Sequence, residues 1–344
     1  MKRNRVLLIF VLLSIGSYAQ LPACQWAYAP VATNSFNALI YASDIDSEGN
    51  IIEAGKIYGQ ADMNPATGPT DTSFSFPGYN YYLSKTDNNG NLIWIKYFRG
   101  VPNISSFEIN QVKVNSNDEI VVLGNYFGVV DVDFSVNGVD TLRSHQPTYQ
   151  DYFVAKYDAN ANLSWAFTIG DATNLTQVKT MTVNDNDDIL VATNTTGAVD
   201  LDPGTGYQPS IGGNANLVVY NTSGNYVWHN NIAVQYSYAE NTNTLEADAL
   251  GNSYLLTVGY YEMTVNKFSN TGIWHYDKTI GQFASGARVA PQSIWIDPAT
   301  QDYYICGSFQ GSVNFDPNGG STVLTGSSAG DQDGFIAKYD SRSE

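Results

Sequence analysis

The sequence predicts an all-β chain folded as a β-propeller of four-stranded antiparallel blades. Three observations carry that expectation. One phrase recurs around tryptophans, two kinds of short turn recur between β-rich runs, and nothing after the first 20 residues keeps a 3.6-residue apolar period.

The tryptophan phrase reads Asn-Leu-Ile-Trp94, Asn-Leu-Ser-Trp165, Asn-Tyr-Val-Trp228 and Gly-Ile-Trp274, and Trp26 stands at the end of a shortened copy. Upstream sits a second phrase: Tyr82-Leu-Ser-Lys85-Thr-Asp87, Phe153-Val-Ala-Lys156-Tyr-Asp158 and Phe335-Ile-Ala-Lys338-Tyr-Asp340, with weaker copies at Leu217–Asn221 and Val265–Ser269. Between the two lies Asp87-Asn-Asn-Gly90-Asn91 or its relatives at 158–162 and 221–225. Asp or Asn at the start and Gly near the end is hairpin chemistry, because the side chain caps backbone N–H groups and Gly accepts positive φ.

A second turn recurs in each unit. Asp46–Asn50, Asn115–Glu119, Asn184–Asp188, Asp248–Asn252 and Asp297–Asp302 each lead into a β-branched or aromatic run, which ends in Gly55, Gly124 and Gly307 in three units. Each unit therefore holds four strands, a to d; in the second they are expected near 109–115, 119–127, 152–158 and 162–169. The units run roughly over 42–98, 109–169, 177–232, 243–278 and 289–340. The last ends after strand c, and residues 24–30, around Trp26, supply a spare strand d. Pairing these ends gives five blades, with the N-terminal strand closing the last. Repeats of this kind exceed the usual single-core limit of about 250–300 residues because each buries its face on its neighbours.

Residues 1–19 read as a secretory signal peptide. Lys2, Arg3 and Arg5 precede the apolar run Val6–Ile15, and Ser17-Tyr18-Ala19 offers small residues before cleavage at Gln20. The apolar run is shorter than the ~20 residues that span a bilayer. Leu21-Pro22-Ala23-Cys24 is an alternative lipoprotein-type box, weakened by Pro22. Residues 20–344 are expected as one domain, secreted or at the cell surface, without membrane insertion and monomeric. Cys24 and Cys306 are the two cysteines of the chain. Secretion permits a bond between them, and the sequence leaves its existence open. With 33 acidic against 16 basic side chains the net charge is −17, which disfavours nucleic acid and anionic membranes as partners.

Phe153-Val-Ala-Lys-Tyr-Asp, the Gly-Asn turn, the tryptophan, then Asp-x-x-Gly-Asn and a β run ending in Gly resemble the SBBP-type β-propeller repeat of bacterial secreted proteins. The resemblance covers about residues 24–340, most closely in units one, two and five. It implies an extracellular propeller of largely unassigned activity.

In such a meander the a–b and c–d turns share one rim, while b–c loops and d–a crossings share the other. The long segments 56–80, 127–151, 196–215 and 308–333 all fall on the second rim, where binding surfaces are usually built. An acidic phrase opens these loops: Asp62 and Asn64, Asp131 and Asp133, Asp200 and Asp202, Asn314 and Asp316. Alternate strand residues share a face, so each pair is a candidate Ca²⁺ site together with loop carbonyls and water. The competing reading is turn capping of backbone N–H groups. No other cofactor is indicated.

The tryptophans are expected to fill wedges between blades. The recurring Lys85, Lys156, Lys267 and Lys338 should lay their stems on the blade and meet an acidic neighbour. No His-Glu-x-x-His or phosphate loop occurs, and His145, His229 and His275 are scattered. The expected function is a non-catalytic extracellular binding or adhesion scaffold for a protein or glycan. The alternatives are a secreted carbohydrate-active enzyme with two carboxylates about 5–9.5 Å apart and a structural spacer of a larger surface protein.

Overall fold

The computed structural model describes residues 27, 31–33, 38–63, 74–100, 107–135, 138–146, 150–213, 215–233, 244–259, 261–283, 285–316, 320–327 and 331–340. The expected signal peptide, Cys24, Trp26 and Asn64 lie outside them. The described residues are all-β, with strands paired antiparallel and no helix long and apolar enough to cross a membrane.

Four units contain the expected meander. Strands a to d are Ala38–Ile45, Ile51–Asp62, Phe74–Thr86 and Leu92–Tyr97 in unit one. They are Phe107–Val114, Ile120–Tyr126, Asp151–Tyr157 and Leu163–Ile169 in unit two. Unit three has Thr176–Val183, Ile189–Thr195, Ala215–Tyr220 and Tyr226–Ile232. Unit four has Thr244–Ala247, Ser253–Val258, Glu262–Phe268 and Trp274–Phe283. Unit five shows strands a to c among the described residues: Arg288–Ile296, Tyr303–Gln310 and Asp333–Tyr339. The strand expected around Trp26 to complete it lies outside the described residues. In unit one, strand b runs on to Asp62 and pairs with Val31–Thr33, where the sequence suggested a loop from residue 56.

The turns show why these sequences reverse direction. Asp46 Oδ1 accepts the backbone N–H of Glu48 (3.0 Å) and of Asn50 (2.8 Å). Asp87, Asn115, Asp158, Asn184, Asn221 and Asp248 repeat this two-bond cap. The fourth residue of each turn has positive φ, which Gly fills at 49, 90, 224 and 251, while Asp118, Ala161 and Asp187 fill it despite carrying a Cβ. A bulge in strand a lies opposite strand b in units one, two, three and five. In three of them Gly55, Gly124 or Gly307 stands there, because a Cβ would run into the carbonyl oxygen of Leu39, Glu108 or Ala290.

Successive units stack face to face, a propeller-like arrangement. One core cluster joins Ile52, Ala54 and Leu83 of unit one to Val112, Val122 and Phe153 of unit two. Further clusters join units two and three, three and four, and four and five. Trp94, Trp165 and Trp228 tie the units together, whereas Trp274, expected to fill a wedge in the same way, is 55% exposed. The indole N–H groups of Trp94, Trp165 and Trp228 donate to the carbonyls of Ala159, Thr222 and Asn270 in the next unit's c–d turn, at 3.3, 3.2 and 3.4 Å. Trp165 and Trp228 also lie flat against Gly224 and Gly272. The a–b turns interlock as well: the N–H and hydroxyl of Ser47 donate to Asp118, and those of Ser116 to Asp187. Lys85, Lys156, Lys267 and Lys338 meet Asp46, Glu119, Asp248 and Asp302 of their own units at 2.8, 2.7, 4.0 and 2.8 Å.

Candidate functional site

The b–c loops are folded, not irregular. In unit two, Val129–Asp131 and Thr141–Arg143 form a hairpin that pairs with Arg99–Gly100, just after strand d of unit one. In unit five, Ser312–Asn314 and Val323–Thr325 form its counterpart, and Gln282 and Phe283 at the end of unit four's strand d pair with it. In unit three, Asp200 bridges Pro209. In unit four the loop is a tight turn between Val258 and Glu262. Each insertion therefore rests on its own unit, and two also rest on the preceding unit.

The acidic phrases sit at the base of these hairpins. Asp131 Oδ1 accepts the backbone N–H groups of Asp133 (3.1 Å) and Asp140 (3.2 Å). Asp200 Oδ1 does the same for Asp202 (3.1 Å) and Gln208 (2.9 Å), and Asn314 Oδ1 for Asp316 (3.0 Å) and Thr322 (3.1 Å). A neutral amide at 314 makes the same two bonds as the carboxylates, so the cap needs the oxygen and not the charge. The second residue faces the hairpin tip. Asp133 Oδ1 accepts the Ser135 N–H and Asp202 Oδ1 the Gly204 N–H, both at 2.8 Å. Gly138, Gly206 and Gly320 each pass so near the carboxylate of Asp133, Asp202 or Asp316 that a Cβ would overlap it. Between each pair a buried residue, Val132, Leu201 or Phe315, points into the core. The buried hydroxyls of Tyr157 and Tyr220 donate to the Val132 and Leu201 carbonyls at 2.9 Å. Burial, reinforced by the nearby aspartates, holds both phenols well above their ordinary pKa, so they stay protonated donors.

Asp62 ends a strand, and Asn64 lies outside the described residues. No group of three or more His, Cys, Asp or Glu side chains that could hold a metal ion occurs among the described residues.

Against these rigid bases the rim presents apolar side chains to solvent. Val139, Tyr207, Ile211, Tyr261 and Val323 are all exposed, Tyr207 by 68%.

Sequence reasoning missed one contact on this rim. Buried Asp151, the first residue of unit two's strand c, accepts the His145 backbone N–H and meets His145 Nδ1, both at 2.7 Å. Asp333 in unit five makes the corresponding backbone bond to Ser327 at 2.7 Å. The recurring task of this Asp is to close the loop onto strand c, and the imidazole is an addition peculiar to unit two. The pairing of residue types six apart has no sequence signature and comes from the loop's return.

No protein-family model matches the sequence, and no curated protein matches it. Among solved structures the chain is similar to a protein from Lactobacillus plantarum, at 11% identity and a TM-score of 0.39, over 88% of each chain. It is also similar to NanB sialidase from Streptococcus pneumoniae, at 10% identity and a TM-score of 0.29, over 88% of this chain and 68% of that one. A catalytically inactive virginiamycin B lyase from Staphylococcus aureus matches at 10% identity and a TM-score of 0.28, over 80% of this chain and 94% of that one. Likenesses this distant assign neither family nor activity.

Proposed function

We propose that the protein is an extracellular interaction scaffold of the SBBP-like type, whose b–c loop rim docks a protein or glycan partner. The observation that carries this reading is the contrast between base and tip. The hairpins are fixed from below by side-chain caps and tyrosine tethers, yet Val139, Tyr207, Ile211 and Tyr261 are held out in water. Rigid presentation of exposed apolar and aromatic groups lowers the entropic cost of binding. Secretion is supported by the pattern from Lys2 to Ala19, and N-terminal sequencing of exported protein should begin at Gln20. A glycan array and a pull-down against surface polymers test the reading, and silence across both would count against it.

A second reading, a secreted hydrolase acting on carbohydrate, is favoured by His145 and Asp151. A buried carboxylate 2.7 Å from Nδ1 orients the imidazole as a carboxylate orients a general-base histidine. Hydrolysis of a polysaccharide panel that disappears in His145→Ala would establish it. Ca²⁺ bound at the acidic phrases is a third element, tested by chelator: a site that binds only the folded form raises the melting temperature when Ca²⁺ is present.

A further inference from the structure

We propose that unit four closes an internal isopeptide bond between the Lys267 amine and the Asn252 side-chain amide, with Asp248 moving the protons. The reacting groups lie at the start of strand b and near the end of strand c. Lys267 pairs directly with Tyr254, and Asn252 stands two residues before that tyrosine, on the same face. The buried carboxylate of Asp248 joins them. Its Oδ2 accepts the Asn252 Nδ2–H at 2.8 Å and the Tyr254 hydroxyl at 3.2 Å, and Lys267 Nζ lies 4.0 Å away. Both nitrogens thus converge on one oxygen atom, and rotation of the lysine's flexible stem brings Nζ onto Asn252 Cγ.

Units one and two carry the same combination of lysine, carboxylate and amide but hold the lysine differently. Asp46 Oδ2 takes Lys85 Nζ at 2.8 Å and Asn50 Nδ2 at 2.9 Å, and Glu119 Oε2 takes Lys156 Nζ at 2.7 Å and Asn115 Nδ2 at 2.8 Å. A contact this short fixes the amine as an ammonium, which has no lone pair to attack with. Lys267 is instead walled by aromatic rings, with Nζ 4.7 Å from the Tyr254 centroid and 6.0 Å from that of Tyr276. Its burial outweighs the attraction of Asp248 and lowers its pKa below 10.5, so its neutral, nucleophilic form is easier to reach than that of an ordinary lysine.

The step balances without an outside reagent. Lys267 Nζ, having given one proton to water, forms a bond to Asn252 Cγ. Asp248 takes a second proton from Nζ and delivers it to Asn252 Nδ2, and the Cγ–Nδ2 bond breaks to release ammonia. One amide replaces another, and nothing is oxidised or reduced. The product is a covalent loop from residue 252 to residue 267. It clamps strands b and c of the unit whose b–c connection is only a tight turn.

Mass spectrometry of the denatured, trypsin-digested protein tests this. Trypsin should cut after Lys85 and Lys156 but not after Lys267, giving fragment 180–278 lighter than its sequence by one ammonia. A second cut with a glutamate-specific protease should leave 247–262 still joined to 263–278. Lys267→Arg and, separately, Asp248→Asn should both give unlinked fragments of full mass. Asn already caps this turn at 115 and 184, so the second variant keeps the fold. A wild-type fragment 180–267 of full mass, or an ammonia loss in this region that persists in either variant, would overturn the inference.

Discussion

Replacing Gly224 by Ala probes the tie between units at a single atom. Gly224 has φ +79°, and an added Cβ would stand 2.9 Å from Cδ2 and 3.0 Å from Cε2 of Trp165. The indole cannot easily retreat. Its N–H is bonded to the Thr222 carbonyl at 3.2 Å, and its ring stacks on Phe167 at 5.4 Å. A non-glycine residue in this left-handed region costs about 1 kcal/mol, partly offset by about 0.5 kcal/mol from the less flexible unfolded chain. Compression against a packed ring adds about 1–3 kcal/mol. The expected loss is therefore about 1.5–3.5 kcal/mol, read as a lower midpoint in denaturant. Ala161 is the internal control, because it occupies the same slot of unit two with φ 61° and a buried methyl. Ala161→Gly should change stability by less than about 0.5 kcal/mol, since strain relieved and burial lost nearly cancel. The mechanism requires that Gly224→Ala cost much less in a Trp165→Leu background. Full additivity of the two changes would refute it.

Three other expectations concern charge and capping. Lys85→Met strands the buried Asp46 carboxylate and should cost about 1.5–3 kcal/mol at pH 7. Burial pushes the Asp46 pKa up, yet hydrogen bonds from Lys85 and Asn50 outweigh it and hold the pKa below 3.8. The stability from this pair is therefore present above that value and is lost as pH falls through the lowered one, so the wild-type advantage over Lys85→Met should vanish in acid. Asp188 is the opposite case, because unit three has Val219 where the other units have lysine. Burial raises its pKa above 3.8, with Asp187 adding to the effect, so its ionisation weakens the fold as pH rises through the raised value. Asp188→Asn should be more stable than wild type at pH 7 and no more stable at pH 3, by denaturation midpoints. Asp131→Asn should be nearly neutral, as Asn314 already shows the amide suffices, whereas Asp131→Ala leaves two N–H groups without their acceptor and should cost about 1–2 kcal/mol. Equal losses in both variants would show that the charge matters after all.

The strands of unit two were legible because its turns carry their own chemistry. Asn115 and Asp158 announce the caps even where Asp118 and Ala161 replace the usual Gly, so the element ends of that unit fall within two residues of expectation. The acidic phrases were legible as residues but ambiguous in role. Asp-x-Asp at a loop start serves a metal or a cap equally well, and of the two partners that fill Asp131 Oδ1 one comes from residue 140, beyond local reading. The pairing of the b–c hairpins with the preceding unit was invisible, since Arg99 and Gln282 bear no mark of the strand they extend to meet. His145 was hidden for the same reason.

Function turns on which rim meets a partner, and paired surface variants decide that most directly. Once an array or pull-down supplies a binding polymer, its affinity should be measured for Val139→Ser/Tyr207→Ser on the loop rim and for Leu250→Ser/Ile273→Ser on the turn rim. All four residues are exposed, so both proteins should fold alike. The account predicts at least a tenfold loss, about 1.4 kcal/mol, in the first and none in the second. Undiminished binding in the first with loss in the second would place the function on the opposite rim and contradict it.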